Sequence, residues 1–121
     1  TPLYVAVQND HQDIVELLID HESRVCTADN NGKSPLWIAS RNGHKGVVQL
    51  LIENGAAVST PHDKGATPLY VAAQNGHIGV AQLLIKHGAR VSTADNDGVT
   101  PMWIAAQNGH RGVILLLIEN G

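Results

Sequence analysis

Seven histidines and one cysteine in 121 residues are the side chains that metal sites and nucleophilic catalysis most often use. His11, His44, His77 and His110 recur every 33 residues. Equivalent residues on successive packed helical layers lie about 8–10 Å apart, whereas zinc holds its nitrogen ligands at about 2.0–2.1 Å. The spacing therefore spreads these histidines along the molecule and keeps them from a common ion. His21 and His87 are two layers apart, and His62 falls in a loop. Cys26 aligns with Ser59 and Ser92, which reads as a small loop residue and not as a nucleophile. Neither a Ser–His–Asp set, nor a carboxylate pair, nor a glycine-rich phosphate loop emerges. The expectation is a chain with no catalytic residue, no metal and no cofactor.

The aromatic residues form the second pattern. Tyr4, Trp37, Tyr70 and Trp103 are the only ones, since phenylalanine is absent, and each stands three places after a Thr or Ser. Residues four apart share a helix face. That places Tyr4 with Gln8, Trp37 with Arg41, Tyr70 with Gln74, and Trp103 with Gln107. The face differs from the apolar stripe of Leu3 and Ala6. Two readings stay open: each ring packs against the next repeat and the loop base, or the rings form a half-exposed ladder of the kind that dominates binding surfaces. Trp37 and Arg41 are placed for a cation–π pair. Tyr-Val goes with a later His (His21, His87) and Trp-Ile with a later Asn (Asn54, Asn120), which points to duplication of a two-repeat block.

The elements that must position these residues follow from the same period. Pro2, Pro35, Pro68 and Pro101 keep the 33-residue spacing, as do the Leu-Leu-Ile triplets beginning at Leu17, Leu50, Leu83 and Leu116. Thr or Ser before Pro predicts a helix start, with a hydroxyl to cap free N–H groups and Pro at the first helical position. Asn-Gly at Asn42, Asn75 and Asn108 predicts its end. A second helix follows, carrying Val47, Leu50 and Leu51 inward, and stops at Gly55, Gly88 and Gly121. The stretches "TADNNGK", "STPHDKGA" and "STADNDGV" then read as extended loops with tight turns at their tips. Helices of roughly eight to ten residues do not persist alone in water. They persist by stacking on neighbouring copies, which is the physics of a solenoid.

A unit reading Thr-Pro-Leu-x-x-Ala, Gly-His, Leu-Leu-Ile, Gly-Ala over 33 residues resembles the ankyrin repeat. The resemblance covers residues 1–33, 34–66, 67–99 and a shorter 100–121. It implies an all-α solenoid of stacked antiparallel helix pairs with hairpin-like finger loops, and one repeat domain over residues 1–121. It implies a partner protein bound through finger tips and the concave face of the first helices. The alternative is a structural spacer with no dedicated ligand. On the concave face the resemblance points to Tyr4, Gln8, Trp37, Arg41, Tyr70, Gln74, Trp103 and Gln107. At the finger tips it points to Asn30, Asn31, Lys33, then Asp63, Lys64, Ala66, then Asn96, Asp97, Val99, which differ between copies.

Departures from the pattern carry their own expectations. Tyr or Trp replaces the His that usually follows Thr-Pro-Leu. Asp10 and Glu22 replace turn glycines, at a cost of about 1 kcal/mol each if the backbone stays left-handed, less for Asp. Gly46, Gly79 and Gly112 sit early in the second helices, where Gly is an indifferent helix former. Leu115 stands where Glu16, Gln49 and Gln82 stand in the other copies, and the last repeat stops before its finger. Both features lead us to expect a segment of a longer array, with self-association through uncapped terminal repeats as one consequence.

Charge excludes other partners. Residues 1–33 hold six acids against two bases, net −4, and the remainder five acids against six bases, net +1. The eight Lys and Arg residues are scattered singly, which is no footprint for nucleic acid. No apolar run approaches the roughly 20 residues of a membrane span. One cysteine precludes an internal disulfide framework and leads us to expect a reducing, intracellular setting.

Overall fold

Each Thr-Pro or Ser-Pro opens a helix as its chemistry requires. The hydroxyls of Ser34, Thr67 and Thr100 accept from the backbone N–H of Trp37, Tyr70 and Trp103 at 3.1, 3.1 and 3.2 Å, and Thr1 does the same for Tyr4. The structure is a computed structural model and describes residues 1–21 and 24–121. Its helices are α1 (Pro2–Gln8), α2 (Gln12–His21), α3 (Pro35–Asn42), α4 (Lys45–Glu53), α5 (Pro68–Gln74), α6 (Ile78–Lys86), α7 (Pro101–Gln107) and α8 (Arg111–Asn120). Among the described residues there is no strand. The architecture is an all-helical solenoid.

Among the described residues the main helix contacts run between neighbours. First helices stack as α1, α3, α5, α7 and second helices as α2, α4, α6, α8, with each pair joined inside its own repeat. Leu3, Leu36 and Leu69, each 1% exposed, and Val47, Val80 and Val113, none above 1%, fill the seams between layers. Because every helix is only seven to ten residues long, this lateral burial supplies the stability that propensity cannot.

The turn inside each helix pair ties one layer to the next. Gly43, Gly76 and Gly109 adopt φ of 76°, 73° and 74°. Asp10 takes the same left-handed turn at φ 57°, so the first repeat accepts the strain its sequence foretold. Glu22 lies outside the described residues. The following histidine reaches back across the layer boundary. His44 Nδ1 lies 3.2 Å from the carbonyl of Val7, His77 Nε2 2.9 Å from that of Arg41, and His110 Nε2 3.0 Å from that of Gln74. A ring N–H must donate in each case, because a carbonyl only accepts. A β-carbon at Gly43 or Gly76 would sit 2.6 Å from Nδ1 of His77 or His110. Glycine therefore serves the backbone and makes room for the brace from the next repeat. Gly46, Gly79 and Gly112 mark another close approach, where Gln12, Lys45 and Ile78 of the preceding second helix lie against them.

Gly76→Ala should lower stability by about 2 kcal/mol, combining left-handed strain with displacement of His110. Gly109→Ala has the same φ but nothing within 4 Å, and should cost about 1 kcal/mol. Urea denaturation of the two variants reads the difference.

Candidate protein-binding surface

Each finger tip is built around the residue at one recurring position. Asp29 opens the first tip, where its carboxylate accepts from the backbone N–H of Asn31 and Lys33, both at 2.9 Å. Asp95 does the same for Asp97 and Val99, again at 2.9 Å. His62 holds this place in the second finger, its Nδ1 accepting from the N–H of Ala66 at 3.2 Å. Gly32, Gly65 and Gly98 close the turns at positive φ. Fingers also bond to each other: Asp63 N–H donates to the Asn31 carbonyl and Asn96 N–H to the Lys64 carbonyl, both at 3.0 Å. The Asn96 side-chain amide adds a bond to the Asp63 carbonyl at 3.1 Å.

The residue at that position, 25 places after Tyr4, Trp37 and Tyr70, is what each of these three aromatics meets. The Tyr4 hydroxyl donates to Asp29 at 2.8 Å. Trp37 stacks on His62 with ring centroids 4.8 Å apart, and its indole N–H donates to the Ala66 carbonyl at 2.9 Å. Burial, then the hydrogen bond to Asp29, push the Tyr4 phenol from 10.0 up to about 12. Burial, then the hydrogen bond to Asp95, do the same for Tyr70. Burial pushes the Asp29 carboxyl up, but the N–H of Lys33 and the Tyr4 phenol outweigh it and hold it below the usual range. The backbone N–H of Val99 holds Asp95 low.

The aromatic column is therefore chiefly the brace of the fingers. Trp37 and Tyr70 are 4% and 7% exposed, and Ala66 is 5%, so none of the three offers a partner contact area. This corrects the half-exposed ladder at Trp37 and Tyr70, and the physical reason is the finger folded over those two rings. Tyr4, Arg41 and Gln74 are half-buried, while Gln8 and Gln107 are exposed. Trp103 is 53% exposed, with no finger over it. Arg41 and Lys33 lie 5.3 and 5.2 Å from the Trp37 ring centre, so the cation–π pair with Arg41 has a second cation beside it. At the tips Asn30, Asn31, Asp63, Lys64, Asn96 and Asp97 are exposed, whereas Lys33 and Val99 are half-buried. Between the first two fingers lies a recess of about 250 Å³ lined by Asn31, Lys33, His62, Asp63 and Lys64.

Sequence reasoning missed Asp29, His62 and Asp95 as the partners of the aromatics. The signal was present: Tyr goes with Asp and Trp with His at a fixed spacing of 25. It extends the alternation already visible at His21, Asn54 and His87.

A family model of ankyrin repeats (3 copies) matches residues 1–62 and 56–121. The chain belongs to the ankyrin-repeat family. No curated protein matches it. Ankyrin repeats are in general protein–protein interaction modules, and the family is typically without enzymatic activity. Among the described residues no helix of this ankyrin-repeat chain is long and apolar enough to cross a membrane.

Both phenols are held above their unfolded value of 10.0. The stability they contribute is complete below pH 10 and is lost as pH rises from about 10 to about 12. Ultraviolet titration of the phenolates should show both tyrosines ionising near 12 in the folded chain. Tyr4→Phe should remove one of the two.

Proposed function

We propose that this chain binds a partner protein across its finger tips and the polar row of its first helices, Gln8, Arg41, Gln74 and Gln107. The observation that carries the reading is the preorganisation of the fingers. Each tip is fixed by its own carboxylate or imidazole, and the second and third each bond through backbone to the finger before. Side chains displayed on a rigid backbone bind without the cost of ordering a loop. The residues so displayed differ from finger to finger (Asn30-Asn31, Asp63-Lys64, Asn96-Asp97), while the parts that hold them repeat. The displayed chemistry is amide and mixed charge, which favours a polar protein surface over an apolar peptide.

Photoreactive residues placed at Asn31 or Lys64 test this against the same probe at Gln82, which is exposed on the second-helix side. Adducts with a discrete partner from cell extract should form from the first two sites and be absent from Gln82. Adducts mainly from Gln82 would move the surface to the other face, and none from any site would favour the spacer. Lys64→Ala should weaken the captured interaction about tenfold, as expected for a contact worth roughly 1.4 kcal/mol.

A further inference from the structure

The recess of about 250 Å³ between the first two fingers gathers positive charge. Lys33, His62 and Lys64 line it together with Asn31 and Asp63. Trp37 beside it brings a further cation. The Lys33 ammonium and the Arg41 guanidinium lie 5.2 and 5.3 Å from the ring centre, and His62 stacks on the same indole at 4.8 Å. Among the described residues no carboxylate lies within 4 Å of Lys33, Arg41 or Lys64. Asp63, the one acid of the lining, is turned onto the first finger, where a β-carbon at Gly32 would stand 2.5 Å from its Oδ1. His62 adds a donor. Its Nδ1 accepts from the N–H of Ala66 at 3.2 Å, so the proton of the neutral ring sits on Nε2. Among the described residues that N–H has no acceptor.

One repeat later the backbone is the same and the charge is reversed. Asp63 N–H donates to the Asn31 carbonyl at the first junction and Asn96 N–H to the Lys64 carbonyl at the second, both at 3.0 Å. Yet Lys33, Arg41, His62 and Lys64 give way to Ala66, Gln74, Asp95 and Asp97. The cations are therefore no requirement of the fold, since the third finger is closed and stacked without them.

We infer that this recess takes a carboxylate side chain, Asp or Glu, from an acidic segment of the partner protein. The inference rests on the finger-side binding proposed above and names the chemistry of one of its contacts. Lys33 and Lys64 supply point charges, Arg41 a planar fork and His62 an N–H, and a carboxylate accepts from each of them. The volume holds a side chain and is too small for a helix, which is about 10–12 Å across. The whole chain carries a net charge of −3, so an acidic segment is repelled by the molecule at large and held where the cations cluster. A single cluster offers no track for the successive phosphates of a nucleic acid.

Titration of the chain with hexaglutamate in about 20 mM salt, followed by residue-resolved amide NMR, tests this. The amides of Lys33, Asp63 and Lys64 should shift with a common Kd of roughly 1 mM or tighter, while those of Asp97 and Val99 on the next finger stay in place. Raising the salt to about 0.5 M should weaken binding at least about fivefold through screening. Arg41→Gln, which installs the residue found at that place in the other three repeats, should weaken it about threefold. Lys64→Glu should weaken it about tenfold, and Lys86→Glu, the same charge change at the exposed end of α6, less than about twofold. Circular dichroism checks that the variants keep the fold. Absent shifts at the recess, shifts centred elsewhere, or equal losses in Lys64→Glu and Lys86→Glu would overturn the inference. So would inorganic phosphate that binds the recess more tightly than hexaglutamate, since the group recognised would then be a phosphate. A partner captured by the photoreactive probes, with no response to hexaglutamate at the recess, would sink this inference alone and leave the proposed function standing.

Discussion

A helix of seven to ten residues has almost no stability of its own in water, and among the described residues of this chain there is nothing longer. Every ordered part of it is therefore completed by a neighbour. The apolar seams between layers supply most of the free energy, but the specific ties fix the register. The histidine of one repeat donates to a carbonyl of the last, and the aromatic of one repeat is roofed by the finger that leads to the next. Without those ties the helices would still be sticky, but the fingers would be loose loops.

The division of labour between repeated and variable residues follows from that dependence. Residues that brace one another within a repeat differ together from copy to copy. The Tyr–Asp and Trp–His pairs illustrate such a matched exchange. A phenol hydroxyl finds a carboxylate, while an indole, which has no acceptor to offer, donates to a backbone carbonyl and stacks on imidazole. Tip residues such as Asn31 and Lys64 face solvent and answer to no neighbour's side-chain geometry. Variation collects there because nothing in the scaffold forbids it, and a binding surface is free to form there.

The fold was legible because its signals are periodic. Thr-Pro starts, Asn-Gly stops and the Leu-Leu-Ile triplets mark the helix pairs seen among the described residues. Asp10 was legible as a strained position if the turn kept its left-handed backbone, and it does, with φ at 57°. The aromatic column was legible only as a face. Helical spacing says which residues share a side of α3, but not that a finger 25 to 29 residues later folds over Trp37. Leu115 stands in a slot that faces solvent in every copy, as Glu16, Gln49 and Gln82 do.

If the fingers are part of the stack and not appendages to it, their backbone amides must be protected. Amide hydrogen exchange resolved by residue measures this directly at Lys33, Asp63 and Asn96, whose N–H groups donate to Asp29, Asn31 and Lys64. The account predicts slow exchange at all three, comparable to amides within α3 and α5. Exchange at the rate of an open chain, with the helices still protected, would contradict it.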